Sequence, residues 1–190
     1  MEVDRFFFKY RSYTPIPLII VVLILTNPSW ISFIVGFVFV LLGEGLRFWG
    51  VAYAGSATRT TGKAGGERLI TDGPFAYVRN PLYLGNFLMS SGFLIMSWAW
   101  MPWMIFIFIS LFGIQYSFIV RHEEEYLSKK FGEKYTNYKQ CVHRWIPYFR
   151  KYSSQENSVP HFMKALKSER NTLQAIIAVT VLLFIRWYFL

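Results

Sequence analysis

Cysteine, histidine and charged residues are scarce in this sequence. The one cysteine, Cys141, excludes an internal disulfide and any metal site built from several cysteines. The three histidines give no zinc-protease spacing, because Tyr126 stands where the stretch "HEEEY" would need its second histidine, and we expect no metal site. Charged residues make up 16% of the chain and hydrophobic residues 54%, which is too apolar for an ordinary soluble domain. The composition predicts a membrane protein.

The N-terminal stretch "MEVDRFFFKYRSYTPIP" lacks a small-residue cleavage site, so we expect no removable secretory signal. The formal net charge of +9 raises the question of nucleic acid binding. The basic residues cluster between apolar stretches, however, and this distribution favours the lipid bilayer as the partner. We therefore expect a single integral membrane domain over residues 1–190 and no nucleic-acid partner.

Five apolar stretches run along the chain, and the last four approach the ~20 residues that cross a bilayer. They cover residues 15–26, 30–54, 82–98, 101–120 and 172–190. Prolines at 15, 17 and 28 bracket the short first stretch, which we interpret as the first arm of a tight helical hairpin turning at "TNPSW". The predicted fold class is all-α, a polytopic membrane bundle of about five transmembrane helices with an amphipathic helical segment on its cytosolic face.

Basic residues are distributed asymmetrically around these stretches. The N-terminal piece and the segments 55–81 and 121–171 hold nearly all the lysines and arginines, whereas the turns "TNPSW" and "SWAWMP" hold none and contain tryptophans. The positive-inside rule then predicts a multi-pass protein with a cytosolic N terminus and both long segments in the cytosol. Because soluble metabolites are available on that side, we expect the active site to face the cytoplasm.

The second apolar stretch contains "LLGEGLRFWG", which places Glu44 and Arg47 three residues apart on one helical face. Charges in or near hydrocarbon are costly, and they usually face the bundle interior or a functional cavity. Two interpretations stay open for this pair: an ion pair that packs helices together, and a role in the site.

The stretch "YVRNPLYLGN" marks the border between a polar segment and the third apolar run. Asn80 is a good helix N-cap and Pro81 suits the first helical position, where its missing N–H costs nothing. Helix capping does not explain Arg79, for which the remaining simple role is to extend its charged end to the membrane interface. The free N–H groups of a helix start also suit an anionic or polar part of a ligand.

The fourth apolar run ends in an acidic triplet and then becomes amphipathic. An apolar stripe formed by Leu127, Phe131, Tyr135, Tyr138 and Val142 recurs at helical spacing, and it could lie on the membrane or close over a pocket. We expect the glycine at 132 to divide this segment into two helices. For the glutamate at 125 we prefer the interpretation of a solvated charge.

Three stretches resemble the isoprenylcysteine carboxyl methyltransferase family and its bacterial and archaeal relatives, which adjoin the phospholipid N-methyltransferases. They are "LRFWGVAYAG", "LITDGPFAYVRNPLYLG" and "EEEYLSKKFGEKYTNYKQCVHRWIP", and together they span Leu46 to Pro147. The resemblance implies S-adenosylmethionine as cofactor, with contacts from Glu67, Arg68, Leu69, Ile70, Phe75, Asn80, Pro81, Leu82, Tyr83 and Glu124. It also implies a substrate-side arginine, for which Arg121 is the nearest candidate. Arg121 and Glu124 are thus the expected catalytic residues.

Asn80 stands where this family usually has a histidine. An amide can hydrogen-bond but cannot titrate near neutral pH, so we expect cofactor binding and no proton transfer at this position. The remaining candidates suit the cofactor's chemistry: Leu69, Ile70 and Phe75 as a slot for the purine, and Glu124 as acceptor for the hydroxyls or the ammonium.

The expected function is methyl transfer from S-adenosylmethionine to a membrane-embedded, lipid-like or lipidated acceptor. A carboxylate or an already neutral acceptor is favoured, because an amine must first lose a proton and no general base is evident. Two alternatives stay open: a nicotinamide-dependent membrane reductase of the sterol-reductase-like group, and a non-enzymatic membrane scaffold. The polar segment 151–171 is expected to be a partly helical connection to the last helix. The sequence gives that last helix no role in catalysis.

Overall fold

A computed structural model describes residues 10, 14–55, 68–153 and 158–189, and among these residues the chain forms α-helices and no β-strand. The six helices whose bounds fall within the described residues are α1 (Ile16–Ile24), α2 (Trp30–Ala54), α3 (Pro81–Ser97), α4 (Trp103–Phe131), α5 (Glu133–Cys141) and α6 (Phe162–Tyr188). A 3₁₀ turn at Gly73–Ala76 precedes α3. The all-α prediction is confirmed.

Three of the described helices, α2, α4 and α6, are long and apolar enough to cross a membrane, and they indicate an integral membrane protein. The other two apolar stretches form shorter helices. Helix α1 has nine residues and α3 has 17, so their lengths are ~14 Å and ~25 Å at ~1.5 Å per residue. The hydrocarbon core of a bilayer is thicker, at ~30 Å. The expected number of about five spans is therefore not supported by helix length.

Two helices extend beyond the apolar stretches that predicted them. α4 continues past residue 120 through the acidic triplet to Phe131, and α6 begins at Phe162 instead of 172. Hydropathy marks where a helix leaves an apolar environment, whereas backbone conformation marks where it ends. Gly132, at φ 52°, ends α4 and precedes α5, and the predicted division at this glycine is confirmed.

Helices α2 and α3 pack antiparallel with their backbones in direct contact. A Cβ on Gly36 would lie 2.4 Å from the carbonyl oxygen of Gly92, and a Cβ on Gly43 would lie 2.6 Å from that of Gly85. Only glycine fits at these crossings, as at other close contacts between membrane helices. The glycines recur every seven residues on both helices, so the contact extends along the length of α3.

Hydrogen bonds fix which parts of the chain share an end of the bundle. In the first turn, the Asn27 N–H and the Thr26 hydroxyl both donate to the Ser97 carbonyl at the end of α3, at 2.8 and 3.0 Å. The two tryptophan-containing turns therefore lie together. The segments before α3 and after α5 lie at the other end, where α4 emerges with its acidic triplet.

Candidate active site

A cavity of about 910 Å³ lies between the helices and the polar segments that flank α3 and follow α4. This volume is in the usual range for ligand sites, ~300–1,000 Å³. The polar end is lined by residues of the segment before α3, the start of α3, the end of α4, and α5. The remainder is lined mostly by apolar side chains of α1, α3, α4 and α6, so the cavity is polar at one end and apolar along the rest.

The segment before α3 is laid against the segment that follows α5. The Arg79 N–H donates to the His143 carbonyl at 2.9 Å, and the Tyr148 N–H donates to the Tyr77 carbonyl at 2.8 Å. Backbone hydrogen bonds of this kind satisfy polar groups that neither segment could satisfy alone. Two stretches that lie 64 residues apart at the Asn80–Arg144 hydrogen bond are thereby held together, and the first of them lines the cavity.

Helix α5 closes the cavity with the predicted apolar stripe. Tyr135, Tyr138 and Val142 are buried and pack with Leu127, Phe131, Leu69 and Tyr152. The Tyr138 hydroxyl donates to the Phe75 carbonyl at 2.7 Å. Burial raises the pKa of both phenols well above the ordinary value of 10.0, with a further contribution from Glu124 at Tyr135 and from Tyr135 at Tyr138. Both hydroxyls therefore remain donors at physiological pH.

Glu124 is the centre of a buried ion cluster. It is 6% exposed, and its two oxygens contact Arg144 at 3.1 and 2.5 Å, while Arg79 Nη2 lies 3.2 Å away. Arg79 also donates from Nη1 to the Lys139 carbonyl at 2.9 Å, and within the described ranges its buried Nε has no hydrogen-bond partner. The cluster ties α4 to both polar segments and leaves a buried guanidinium N–H on the cavity wall.

Arg144 was not recognised from the sequence, although it lies in the quoted stretch "CVHRWIP". A lone arginine after a helix is usually a solvated charge, and only the fold shows that this one reaches back to Glu124. Arg79, for which helix capping gave no role, is explained by the same cluster.

Glu123 faces the cavity beside Tyr83. The Tyr83 hydroxyl donates to Glu123 Oε1 at 2.6 Å, a short bond typical of a charged acceptor. The Tyr83 ring also contacts Tyr116 edge-on, with centroids 4.9 Å apart. The sequence pointed to Tyr83 and Glu124 but not to Glu123. Within the acidic triplet, only the helical period determines which carboxylate faces the cavity.

Asn80 occupies the N-cap position of α3, and Pro81 is the first helical residue, as predicted. Among the described residues, however, the Asn80 side chain makes no capping hydrogen bond. Its ψ of 58° departs from the extended conformation of a capping residue, and its amide donates instead to the Arg144 carbonyl at 3.1 Å. The Asn80 side chain therefore links the two polar segments and does not satisfy the helix start.

The structure brings most of the predicted site residues to one cavity. Its lining includes Arg68, Leu69, Ile70, Phe75, Asn80, Pro81, Leu82, Tyr83 and Glu124. Glu67 lies outside the described residues. Arg121 is not among the residues that line the cavity in the described part of the chain. Its side chain is 69% exposed and lies 3.5 Å from Glu125 on the outer face of α4.

A second polar cluster lies on the cavity wall, among the helices. Arg47 donates to Asn86 Oδ1 and, at 2.8 Å, to Glu169 Oε2, and its Nε lies 3.5 Å from Glu44. The Asn86 amide in turn donates to the Tyr116 hydroxyl at 3.1 Å. The sequence pointed to the Glu44–Arg47 pair but gave no signal for Glu169, which lies 122 residues from its partner.

Comparisons with known proteins bear on this site. Residues 31–134, more than half of the chain, match the family described as phospholipid methyltransferase. The match covers α2, α3, α4 and the segment before α3, and it ends before Arg144 and α6. A comparison with curated protein sequences gave no significant match.

Proposed function

The chain belongs to the phospholipid methyltransferase family, and from this membership we propose that it transfers a methyl group from S-adenosylmethionine to a lipid-like or lipidated acceptor held in the membrane. Membership implies membrane methyltransferase activity, and it does not favour the reductase or scaffold alternatives. The observation that carries the proposal is the cavity, which is polar at one end and apolar among the helices. Such a space suits a polar cofactor and an apolar acceptor side by side.

The residues at the polar end fit S-adenosylmethionine by their chemistry. Leu69, Ile70 and Phe75 offer apolar surface for a purine. Arg79 keeps one buried N–H without a partner in the described chain, and that group suits a carboxylate. Glu123, on the same wall, is an acceptor for hydroxyl or ammonium groups.

For Glu124 we propose a positioning role beside the cofactor contact that the resemblance implied. Two arginines occupy its carboxylate, so we propose that it acts mainly by holding the guanidinium group of Arg79 at the cavity, with Arg144 as its second partner. This assignment keeps Glu124 essential to the site, since an arginine that loses its buried counter-charge moves or is left unpaired.

When bound, S-adenosylmethionine supplies a methyl group on sulfur that an acceptor lone pair takes by in-line displacement, leaving S-adenosylhomocysteine. The protein's own contribution is positioning: the ion cluster and the Tyr83–Glu123 hydrogen bond fix the polar wall, and the stripe on α5 excludes water. The acceptor's nucleophile would lie near the Tyr83–Tyr116 contact, which connects the polar wall with the Arg47 cluster.

The acceptor's reacting group is either a carboxylate or an amine. The absence of an evident base in the sequence favoured a carboxylate or an already neutral acceptor. The structure places Glu169 among the residues that line the cavity, and its negative charge is compatible with a cationic amine nearby. An amine acceptor is therefore chemically accessible as well.

Ligand titration tests the proposal. Purified protein is heated with increasing S-adenosylhomocysteine or NADPH, and unfolding is followed for each ligand. We expect S-adenosylhomocysteine to stabilise the protein by about 2.7 kcal/mol at 100 times its dissociation constant, and NADPH to have no effect. Stabilisation by NADPH alone would support the reductase, and stabilisation by neither ligand would support the scaffold.

A further inference from the structure

A group of exposed apolar side chains lies on the segment that follows α5. Ile146 is 73% exposed, Tyr148 47% and Phe149 98%, and all three belong to the stretch "RWIPYFRK". A single exposed apolar residue is ordinary on a protein surface, whereas several together usually mark a surface that contacts a partner or a membrane. We refer to these three side chains as the exposed patch.

The backbone of this segment is held in place by the segment before α3. The Tyr148 N–H donates to the Tyr77 carbonyl at 2.8 Å, and the Tyr152 N–H donates to the Ala76 carbonyl at 3.0 Å. The Tyr148 ring also contacts the His143 ring, with centroids 5.9 Å apart. The exposed patch therefore has a defined position in the fold, although its side chains are not covered by the rest of the described chain.

Two tryptophans mark where helix α2 meets the two faces of the bilayer. Trp30 and Trp49 are both exposed, and they lie about 28 Å apart along the helix at ~1.5 Å per residue. That separation matches the ~30 Å thickness of the hydrocarbon core, and tryptophans are enriched at both of its edges. The ring of Trp187 on α6 lies at the level of Trp30, with centroids 4.4 Å apart. Trp49 therefore marks the membrane interface at the polar end of the bundle.

Contacts place the exposed patch at the level of Trp49. The Trp49 ring contacts the Tyr77 ring, with centroids 6.3 Å apart, and the Tyr77 carbonyl accepts the hydrogen bond from the Tyr148 N–H. Irregular backbone does not enter hydrocarbon, because its polar groups would lose their partners, so only the side chains of the patch can insert. The patch thus lies at the edge of the bilayer, where Ile146 and Phe149 can reach the acyl chains.

Basic residues follow the exposed patch immediately. Arg150 and Lys151 are exposed, and the sequence has no acidic residue between Glu133 and Glu156. Apolar insertion and electrostatic attraction act together in interfacial binding, and the attraction requires lipids with a negative headgroup. A protein partner would need an acidic and apolar face of its own, whereas a bilayer beside Trp49 supplies an apolar layer and anionic headgroups at the required depth.

We propose that the segment 145–151 is an interfacial anchor that binds the anionic phospholipids of the surrounding bilayer. Ile146 and Phe149 insert below the headgroups, and Arg150 and Lys151 contact the phosphates above them. The anchor attaches the polar end of the bundle to the membrane at a second place beside the helices. It is independent of the proposed methyltransferase function, because none of these four residues is among those that line the cavity in the described part of the chain.

A spin label at position 146 measures the depth of the segment. Ile146→Cys in a Cys141→Ser background carries a nitroxide, and the protein is placed in nanodiscs of phosphatidylcholine alone or mixed equally with phosphatidylglycerol. We expect oxygen, which concentrates among acyl chains, to reach the label more readily than a water-soluble nickel complex does, and more so in the anionic nanodiscs. Leu42→Cys, at an exposed apolar position of α2, and Asn137→Cys, exposed on α5, are the references for lipid and for water.

Further substitutions separate the apolar and the electrostatic contributions. Phe149→Ser should make the label accessible to nickel in both kinds of nanodisc, because the main inserted side chain is lost. Arg150→Gln combined with Lys151→Gln should bring the label to the same depth in both kinds, because the preference for anionic lipid is lost. Replacing the exposed lysines of α5 at positions 134 and 139 by glutamine is the matched control and should keep that preference.

A label at position 146 that is as accessible to nickel as the Asn137 reference would overturn the proposal, since the segment would then lie in water. Equal depth in the two kinds of nanodisc, with arginine and lysine retained at 150 and 151, would also overturn it. Shielding of the label from both oxygen and nickel would show that a protein surface covers the patch, which contradicts a lipid anchor as well.

Discussion

Glu124 and Glu125 are neighbours on α4 with opposite surroundings. Glu124 is buried and contacts Arg79 and Arg144, while the side chain of Glu125 is 46% exposed and lies 3.5 Å from Arg121. Exposed ion pairs contribute ~0–1 kcal/mol, whereas removing one member of a buried pair leaves an uncompensated charge. The helical period alone determines which of the two carboxylates belongs to the site.

Replacing Glu124 by Gln should therefore weaken S-adenosylhomocysteine binding at least about tenfold, or ~1.4 kcal/mol, because the two arginines lose the charge that orients them. Calorimetric titration measures the affinity. Glu125→Gln is the matched control and should bind with nearly unchanged affinity. Equal losses in the two variants would mean that the acidic triplet acts through its total charge, which contradicts the assignment.

Because the phenols of α5 are buried, we expect the protein to lose stability at alkaline pH. Burial raises the folded-state pKa of Tyr138 above its unfolded value of about 10. The stabilisation linked to its protonated form is therefore fully present below about pH 10 and is lost as the pH rises further. Thermal unfolding of the wild type and of Tyr138→Phe, measured from pH 8 to about pH 11, should show the steeper decline in the wild type. Parallel declines would contradict this linkage.

The residues of the candidate site could be predicted from the sequence only where a local sequence pattern marked them. Asn80, Pro81 and Tyr83 stand in a recognisable border stretch, and the fold places them on the cavity. Glu169 and Arg144 carry no local mark, because their significance comes from partners distant in sequence. Arg121 was the nearest candidate for the arginine that the family resemblance implies, and it lies on the outer face of α4; its contact with the acceptor stays a prediction.

At the scale of elements, the α2–α3 contact holds the polar wall in place. Asn86 and Tyr83 lie on α3, and Arg47 lies on α2, so the register between these helices sets the distance between the two polar clusters. Glycines at the crossings fix that register, because a side chain there would meet backbone atoms.

Gly43→Ala should destabilise the protein by about 1–3 kcal/mol, because its Cβ would lie 2.6 Å from backbone atoms of α3. Gly45→Ala, on the same helix, is the control, since no atom lies within 4 Å of its Cβ position. Alanine there should leave stability unchanged or raise it, owing to its better helix propensity. Thermal unfolding in detergent measures both variants, and similar shifts would refute the close-contact interpretation.

Helices inside apolar stretches were largely predictable, and their polar extensions were not. The predicted bounds 30–54 match α2, because its apolar run begins at the capped start of the helix and ends where the helix ends. The polar helical turns at the end of α4 and the start of α6 resemble loops by hydropathy. They are helical because the backbone hydrogen bonds of the helix continue through them and their buried faces pack against other residues. Glu169 lies in one such extension, which is why the last helix seemed to have no role in the site.

At the scale of the whole molecule, the bundle separates its polar and apolar ends. The two short turns are hydrogen-bonded to each other through Ser97, and the segments before α3 and after α5 form the opposite end. We propose from the positions of lysine and arginine that this second end faces the cytosol, where a soluble cofactor is available.

Cysteine labelling tests this orientation. In a Cys141→Ser background, single cysteines introduced in 60–66 and in 152–158 should both react with a membrane-impermeant reagent from the cytosolic side only. The reason is the positive charge of both segments. A cysteine introduced in the turn at 98–102 is the control and should react from the opposite side. Labelling of the two long segments from different sides would defeat the shared-site account.

The most direct test of the central claim is transfer of a labelled methyl group. Purified protein is incubated with S-adenosylmethionine carrying an isotopic methyl label and with total lipid and protein extracts, and the products are identified by mass spectrometry. We expect label in a membrane-lipid or lipidated fraction, and we expect it to be lost when Glu124→Gln replaces the wild type. Label in no fraction, despite measurable binding of S-adenosylhomocysteine, would contradict it.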